Sequence, residues 1–224
     1  MLGLLMLQTR FPRPLGDVGH AQTFSFPVRP WVVQGATPQR VVRGHGTALL
    51  QPFIEAGRAL ADQGCSAIST SCGFLALWQR ELQAALPVPV WTSSLLQLAE
   101  LQDGQAGVIT IEAASLTAAH LQAVGADPTT PVEGITAGSP LHQTLLRDLA
   151  QLDEVDAQAQ VVAAATRLRQ RCPQIDTLVL ECTNLPPYAS ALRAATGLRV
   201  LDITTLLNER MARLGVRTPL GQEP

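Results

Sequence analysis

The amino-acid sequence predicts an α/β protein made of two pseudo-symmetric parallel-sheet domains with a cleft between them. Three observations predict it. Short runs rich in Val, Ile and Leu alternate with stretches of helical periodicity along the 224 residues. The apolar runs are continuous, as strands buried on both faces require. The third observation is an internal repeat. Laid over Thr177–Leu207, the segment Ala67–Leu96 puts Cys72 on Cys182, Leu82 on Leu192, Ala84-Ala85 on Ala194-Ala195 and Val90 on Val200. One inserted residue later, Ser93-Ser94-Leu95-Leu96 falls on Thr204-Thr205-Leu206-Leu207.

In chain order, the apolar runs place strands at Gly3–Leu7, Trp31–Gln34, Ala67–Thr70, Val88–Trp91, Gly107–Ile111, Val132–Ile135, Thr177–Leu180 and Leu198–Leu201. Thr23–Val28 is extended but broken by proline, which fits an arm or an edge strand. Helical stripes lie between. Leu49, Leu50, Phe53, Ile54 and Leu60 make one; Phe74, Leu77, Trp78, Leu82 and Ala85 make a second. A long one holds Val161, Val162, Ala165 and Leu168, and a shorter one Leu185, Tyr188, Ala189 and Leu192. Ser93-Ser94 and Thr204-Thr205 read as helix caps. The repeat assigns residues 1–98 to the first lobe and 99–201 to the second. Residues 202–224 return to the first lobe, and the tail Thr218–Pro224 is expected to fray.

Composition narrows the function. Hydrophobic residues are 46% and charged residues 15%, an ordinary globular balance. A formal net charge of −2 gives no basis for nucleic-acid binding. No apolar run approaches the ~20 residues of a membrane span. The apolar start Met1–Leu7 reads as a buried strand and not as a signal peptide. The expected setting is cytoplasmic, where the four cysteines stay free thiols. There is no CxxC, the histidines are scattered, and no phosphate or dinucleotide fingerprint is present. Neither metal nor cofactor is expected.

The chemistry concentrates at the two repeated cysteines. Each follows an apolar strand and precedes a helical segment: Thr70-Ser71-Cys72-Gly73-Phe74, and Glu181-Cys182-Thr183-Asn184-Leu185-Pro186. Unpaired N–H groups at a helix start favour a thiolate and bind carboxylates. Ser69, Thr70, Ser71, Thr183 and Asn184 add short polar groups, and Gly73 lets a ligand approach the backbone. Phe74 shapes an apolar wall. Thr9 and Arg10 follow the first strand, and Arg10 or Arg13 could clamp a carboxylate. Thr110, Glu112 and Ser115 follow a second-lobe strand toward the same cleft. Glu181, beside Cys182, reads as pointing away, because strand neighbours alternate faces. Cys65 and Cys172 lack such surroundings and read as structural.

These motifs resemble the aspartate/glutamate racemase superfamily, which includes hydantoin racemases, over nearly the whole chain. The resemblance implies a cofactor-free enzyme in which Cys72 and Cys182 exchange protons on opposite faces of a carbon next to a carboxylate, with Thr183 touching that carboxylate. It also implies a homodimer acting on a small-molecule carboxylate. Family patterns differ at three places: Gly73-Phe74 stands for Asn-Thr, Glu181 for a small residue and Asn184 for His. Three readings therefore stay open. One is a racemase or epimerase. Another is a decarboxylase or cis–trans isomerase of the arylmalonate or maleate kind. The third is a carboxylate-binding protein without catalysis.

Overall fold

The central strands are apolar at nearly every position because both of their faces are covered. In the computed structural model, which describes residues 1–44, 47–102 and 104–215, β1 (Leu2–Leu7), β3 (Ala67–Thr70), β5 (Ala106–Thr110) and β7 (Thr177–Leu180) are buried throughout. Shorter strands flank them: β2 (Val28–Val33), β4 (Val90–Trp91), β6 (Val132–Gly134) and β8 (Arg199–Leu201). Two four-stranded sheets result, β2-β1-β3-β4 and β6-β5-β7-β8, parallel throughout. The two orders are the same. Ile68 pairs with Val90 in the first sheet and Leu178 with Val200 in the second, so the repeat preserves strand register.

Parallel neighbours need crossovers, and helices supply them. They are α1 (Leu50–Asp62), α2 (Gln79–Ala85), α3 (Ala118–Ala123), α4 (Pro140–Arg147), α5 (Glu154–Arg171), α6 (Ala189–Thr196) and α7 (Ile203–Arg213). One apolar core runs from Leu5 and Phe53 in the first lobe to Val108, Leu168 and Leu178 in the second. A smaller core joins Ile203, Leu206, Leu207 and Met211 of α7 to Leu2, Leu4, Phe24 and Phe26. No helix among the described residues is long and apolar enough to cross a membrane.

Before Val28 the chain is an arm and not an edge strand; Phe24 and Phe26 stack at 5.0 Å and bury against α7. Two details depart from the sequence reading. The segments after both cysteines open as 3₁₀ turns, Gly73–Trp78 and Pro186–Tyr188, before α2 and α6 begin. Leu75 N–H donates to Cys72 O and Leu185 N–H to Cys182 O, both at 3.1 Å, the tighter i→i+3 spacing. Ser93 does cap its segment, but α7 is capped two residues before Thr204, by Asp202, whose carboxylate accepts from the Thr204 and Thr205 N–H groups. The tail Thr218–Pro224 lies outside the described residues.

Candidate active site

The two cysteine turns leave the carboxyl ends of the central strands β3 and β7 in the same way. Ser71 N–H donates to Leu5 O and Glu181 N–H to Ile109 O, each at 2.9 Å. These bonds are equivalent in the repeat, and each is the last of its ladder. The turns then lock to one another across the lobes. Thr183 Oγ1 donates to Ser71 O at 2.7 Å, and Ser94 Oγ donates to Leu180 O at 2.5 Å, both buried. Cys72 and Cys182 consequently line one narrow cleft, with about 30 Å³ of space open to water-sized molecules. Its walls are mostly apolar, from Leu7, Phe11, Val42, Phe74, Ile111, Leu145 and Leu146. Thr9, Arg13, Ser71, Glu181, Thr183 and Asn184 supply the polar groups.

Ionisation in this cleft runs against the sequence expectation. Burial pushes the Cys72 thiol far up, the neighbouring Glu181 carboxylate adds to it, and the Phe74 and Leu75 N–H groups and Arg13 only partly offset them. Burial also raises Cys182, again followed by Glu181; the Asn184 N–H opposes, while Cys72 and Asp17 push further upward. Helix-start amides cannot overcome desolvation here, because the segments that follow the cysteines are short 3₁₀ turns with little aligned dipole. The surroundings are also unequal. Cys182 Sγ lies 3.6 Å from Asn184 Oδ1 as a donor, and Asn184 Nδ2 donates to Asp17 Oδ2 at 2.7 Å. Arg13 grips the other Asp17 oxygen at 2.7 Å, and its second nitrogen donates to Thr9 Oγ1 at 3.0 Å.

Glu181 is the residue that the sequence reading misdirected. Its side chain is fully buried and lines the cleft. The β7 ladder ends at Leu180, so strand alternation no longer governs where residue 181 points. Thr110 Oγ1 donates to Glu181 Oε2 at 2.7 Å, while Oε1 has no hydrogen-bond partner. Burial pushes the carboxyl up to about 8 despite the Thr110 hydroxyl. Gly73 makes the room: a Cβ there would collide with Glu181 O and Oε1 and stand 2.8 Å from its Cδ.

Thr9, Ser71, Gly73, Phe74, Thr183 and Asn184 meet at the cleft with the two cysteines. Arg10 does not join them. Its side chain is 79% exposed and pairs with Asp148 at 3.2 Å, leaving Arg13 as the arginine of the cleft. Thr70 does not line it either; its hydroxyl donates to Thr92 O at 2.6 Å and braces the Cys72 turn, accepting from the Cys72 N–H at 3.4 Å. Thr110 stands behind Glu181 and reaches the cleft only through it. The Thr183 hydroxyl hydrogen is committed to Ser71 O, so toward a substrate that oxygen can only accept. Glu112 is held by Arg43 at 2.7 Å and His142 at 3.2 Å, a tie between the lobes. No group of three or more His, Cys, Asp or Glu residues able to hold a metal ion occurs among the described residues.

No protein-family model matches the chain. Dimethylsulfoniopropionate lyase 3 of Emiliania huxleyi (strain CCMP1516) is 30% identical over 235 residues, covering 95% of this chain and 59% of that protein. The chain thus spans less than two thirds of that relative's length. Dimethylsulfoniopropionate lyase of Durusdinium sp. clade D is 29% identical over 223 residues, covering 90% of this chain and 70% of that one. Among solved structures, arylmalonate decarboxylase superposes with a TM-score of 0.60 at 16% identity, covering 99% and 94% of the two chains. Glutamate racemase from Thermus thermophilus superposes with a TM-score of 0.57 at 19% identity, covering 98% and 83%. These likenesses are in fold, and they bear out the two-lobed α/β architecture that the repeat predicts.

Proposed function

We propose that this chain, which has the fold of the aspartate/glutamate racemase superfamily, is a cofactor-free lyase acting on small carboxylates of the dimethylsulfoniopropionate kind. The observation that carries this reading is the inequality of two thiols in one cleft. Cys72 faces Arg13 and two backbone N–H groups, whereas Cys182 is held as a donor to Asn184 and faces Asp17. A β-elimination needs one base; a racemase needs two that exchange roles. The sequence relatives named for this lyase activity point the same way.

In this reading Arg13, whose Nη1 and Nη2 each give one hydrogen bond within the protein, offers its remaining N–H groups to the substrate carboxylate. The Cys72 thiolate takes the proton from the carbon next to that carboxylate. The electron pair left behind forms the new C=C bond, and the bond from the β-carbon to sulfur breaks with its electrons on sulfur. Neutral dimethyl sulfide and acrylate leave. Cys182 stays a thiol throughout and closes the opposite side of the cleft.

The direct measurement is headspace dimethyl sulfide from purified protein and dimethylsulfoniopropionate in deuterated water, with deuterium followed at the α-carbon of the remaining substrate. Absence of dimethyl sulfide release would sink the proposal, whether or not exchange occurs. A second expectation concerns the arginines. Arg13→Ala raises KM by roughly 10- to 100-fold, the worth of charge-assisted hydrogen bonds in a desolvated site. Arg10→Ala changes it by only a few-fold at most, because exposed ion pairs contribute ~1 kcal/mol or less.

A racemase or epimerase is the second reading, favoured by the equivalent positions of Cys72 and Cys182 on the two strands. It predicts α-carbon exchange and loss of optical rotation with single enantiomers of amino acids or hydantoins, without elimination.

A further inference from the structure

We propose that Glu181 selects a cationic substrate: its carboxylate is the counter-charge for the sulfonium end of the molecule whose carboxylate Arg13 holds. The inference rests on the reading of the cleft as a dimethylsulfoniopropionate site and deepens it. That substrate is a zwitterion. A carboxylate clamp accounts for only one of its two charges.

Glu181 is placed for the other. It lines the cleft together with Arg13, and its side chain is fully buried. Thr110 Oγ1 donates to Oε2 at 2.7 Å, which fixes the direction of the carboxyl group. Oε1 has no hydrogen-bond partner and is closed off from water. The bare Cα of Gly73 leaves the room in which Oε1 sits, and Gly73 lines the cleft as well. A buried acceptor left without a partner costs stability, and a ligand that completes it recovers that cost.

No cation of the protein does so. The chain contains no lysine, and among the described residues no salt bridge includes Glu181. Arg13 is engaged with Asp17 and Thr9 and acts on Cys72, whereas burial and the Thr110 hydroxyl set the Glu181 carboxyl. Water is excluded, so a carboxylate here repels a second carboxylate and attracts a cation more strongly than it would in solvent. The racemase pattern has a small residue at this position, so Glu181 adds one acidic group to the cleft. The surroundings also separate two kinds of cation. A primary ammonium needs acceptors for three N–H groups. A dimethylsulfonium needs none, and its methyl groups suit the apolar walls to which Phe74 and Leu7 belong. An aromatic ring such as Phe74 attracts a cation in its own right.

The experiment is calorimetric titration of the full chain with two probes of one shape, 3-(trimethylammonio)propionate and 4,4-dimethylpentanoate. Both carry the carboxylate; they differ only in having a cationic nitrogen or a neutral carbon at the branch. Burial pushes the Glu181 carboxyl up to about 8, so near pH 8.5 it is mostly ionised and a cation is what it lacks. Wild type binds the cationic probe at least about tenfold more tightly than the neutral one. Glu181→Gln keeps the shape and can still accept from Thr110; it brings the two Kd values to within a few-fold of each other, chiefly by weakening the cation. Arg13→Ala weakens both probes together. Equal affinities in wild type overturn the proposal, and that comparison needs no variant to fold. A preference that survives Glu181→Gln in a variant with a wild-type melting curve overturns it too, as does equal weakening of both probes by that substitution. If wild type binds both probes alike, the carboxylate reading of the cleft stands and only the proposal falls. If wild type binds neither, that reading fails and the proposal fails with it.

Discussion

Cys72→Ser is expected to lower kcat by ~10³-fold or more with little change in fold, because serine fills the same space but is far too weak an acid to serve as an anionic base. The residue sits in extended backbone at the start of its 3₁₀ turn, and Leu75 N–H bonds to its carbonyl rather than to its sulfur. The structural cost of exchanging sulfur for oxygen is therefore small. Cys182→Ser is the informative partner. A serine hydroxyl can still donate to Asn184 Oδ1, so a lyase with one working base loses only about tenfold, an order-of-magnitude expectation for a displaced donor. A racemase loses as much from Cys182→Ser as from Cys72→Ser. Initial rates of dimethyl sulfide release for the two variants decide between these outcomes. Equal, near-complete losses would count against the single-base assignment.

Gly73→Ala is expected to damage both stability and activity. The added Cβ runs into the Glu181 carbonyl and carboxylate, and neither can simply step aside. The Glu181 backbone is tied to Ile109 O at 2.9 Å, and the next turn is tied across the lobes by the Thr183–Ser71 bond. Relief has to come from the two cysteine turns moving apart. Overpacking of this kind costs ~1–3 kcal/mol or more, and for a chain of this length each kcal/mol lowers Tm by roughly 2–4 °C. A 1 Å displacement of a reacting group costs on the order of 10²-fold in rate. Calorimetry together with kcat/KM tests both halves. A melting temperature and a turnover close to wild type would mean that the tight contact between Gly73 and Glu181 is not what holds the site.

How much of the site was legible in the sequence depends on the kind of information each residue needed. Cys72 and Cys182 were marked by the repeat itself, and Ser71, Gly73, Phe74, Thr183 and Asn184 came with them because they lie within two residues of a cysteine. Thr70 lies equally close, yet its hydroxyl turns back to Thr92 O. Arg10 and Arg13 both follow β1 in a proline-rich loop with no periodicity to orient them. Only the ion pairs with Asp148 and Asp17 separate the exposed one from the buried one. The roof from α4, Leu145 and Leu146, carries no motif at all.

Local and repeated patterns were enough to specify two parallel sheets and the placement of one thiol at the end of each of two strands, because apolar periodicity and turn chemistry act over a few residues. Folding decided the rest: that Glu181 turns inward, that Arg13 and not Arg10 reaches the cleft, and that burial keeps both sulfurs protonated in the free protein. Those outcomes depend on how much water is excluded and on partners such as Thr110 for Glu181 and Asp17 for Asn184, which lie far away along the chain and become neighbours only when the lobes close on each other.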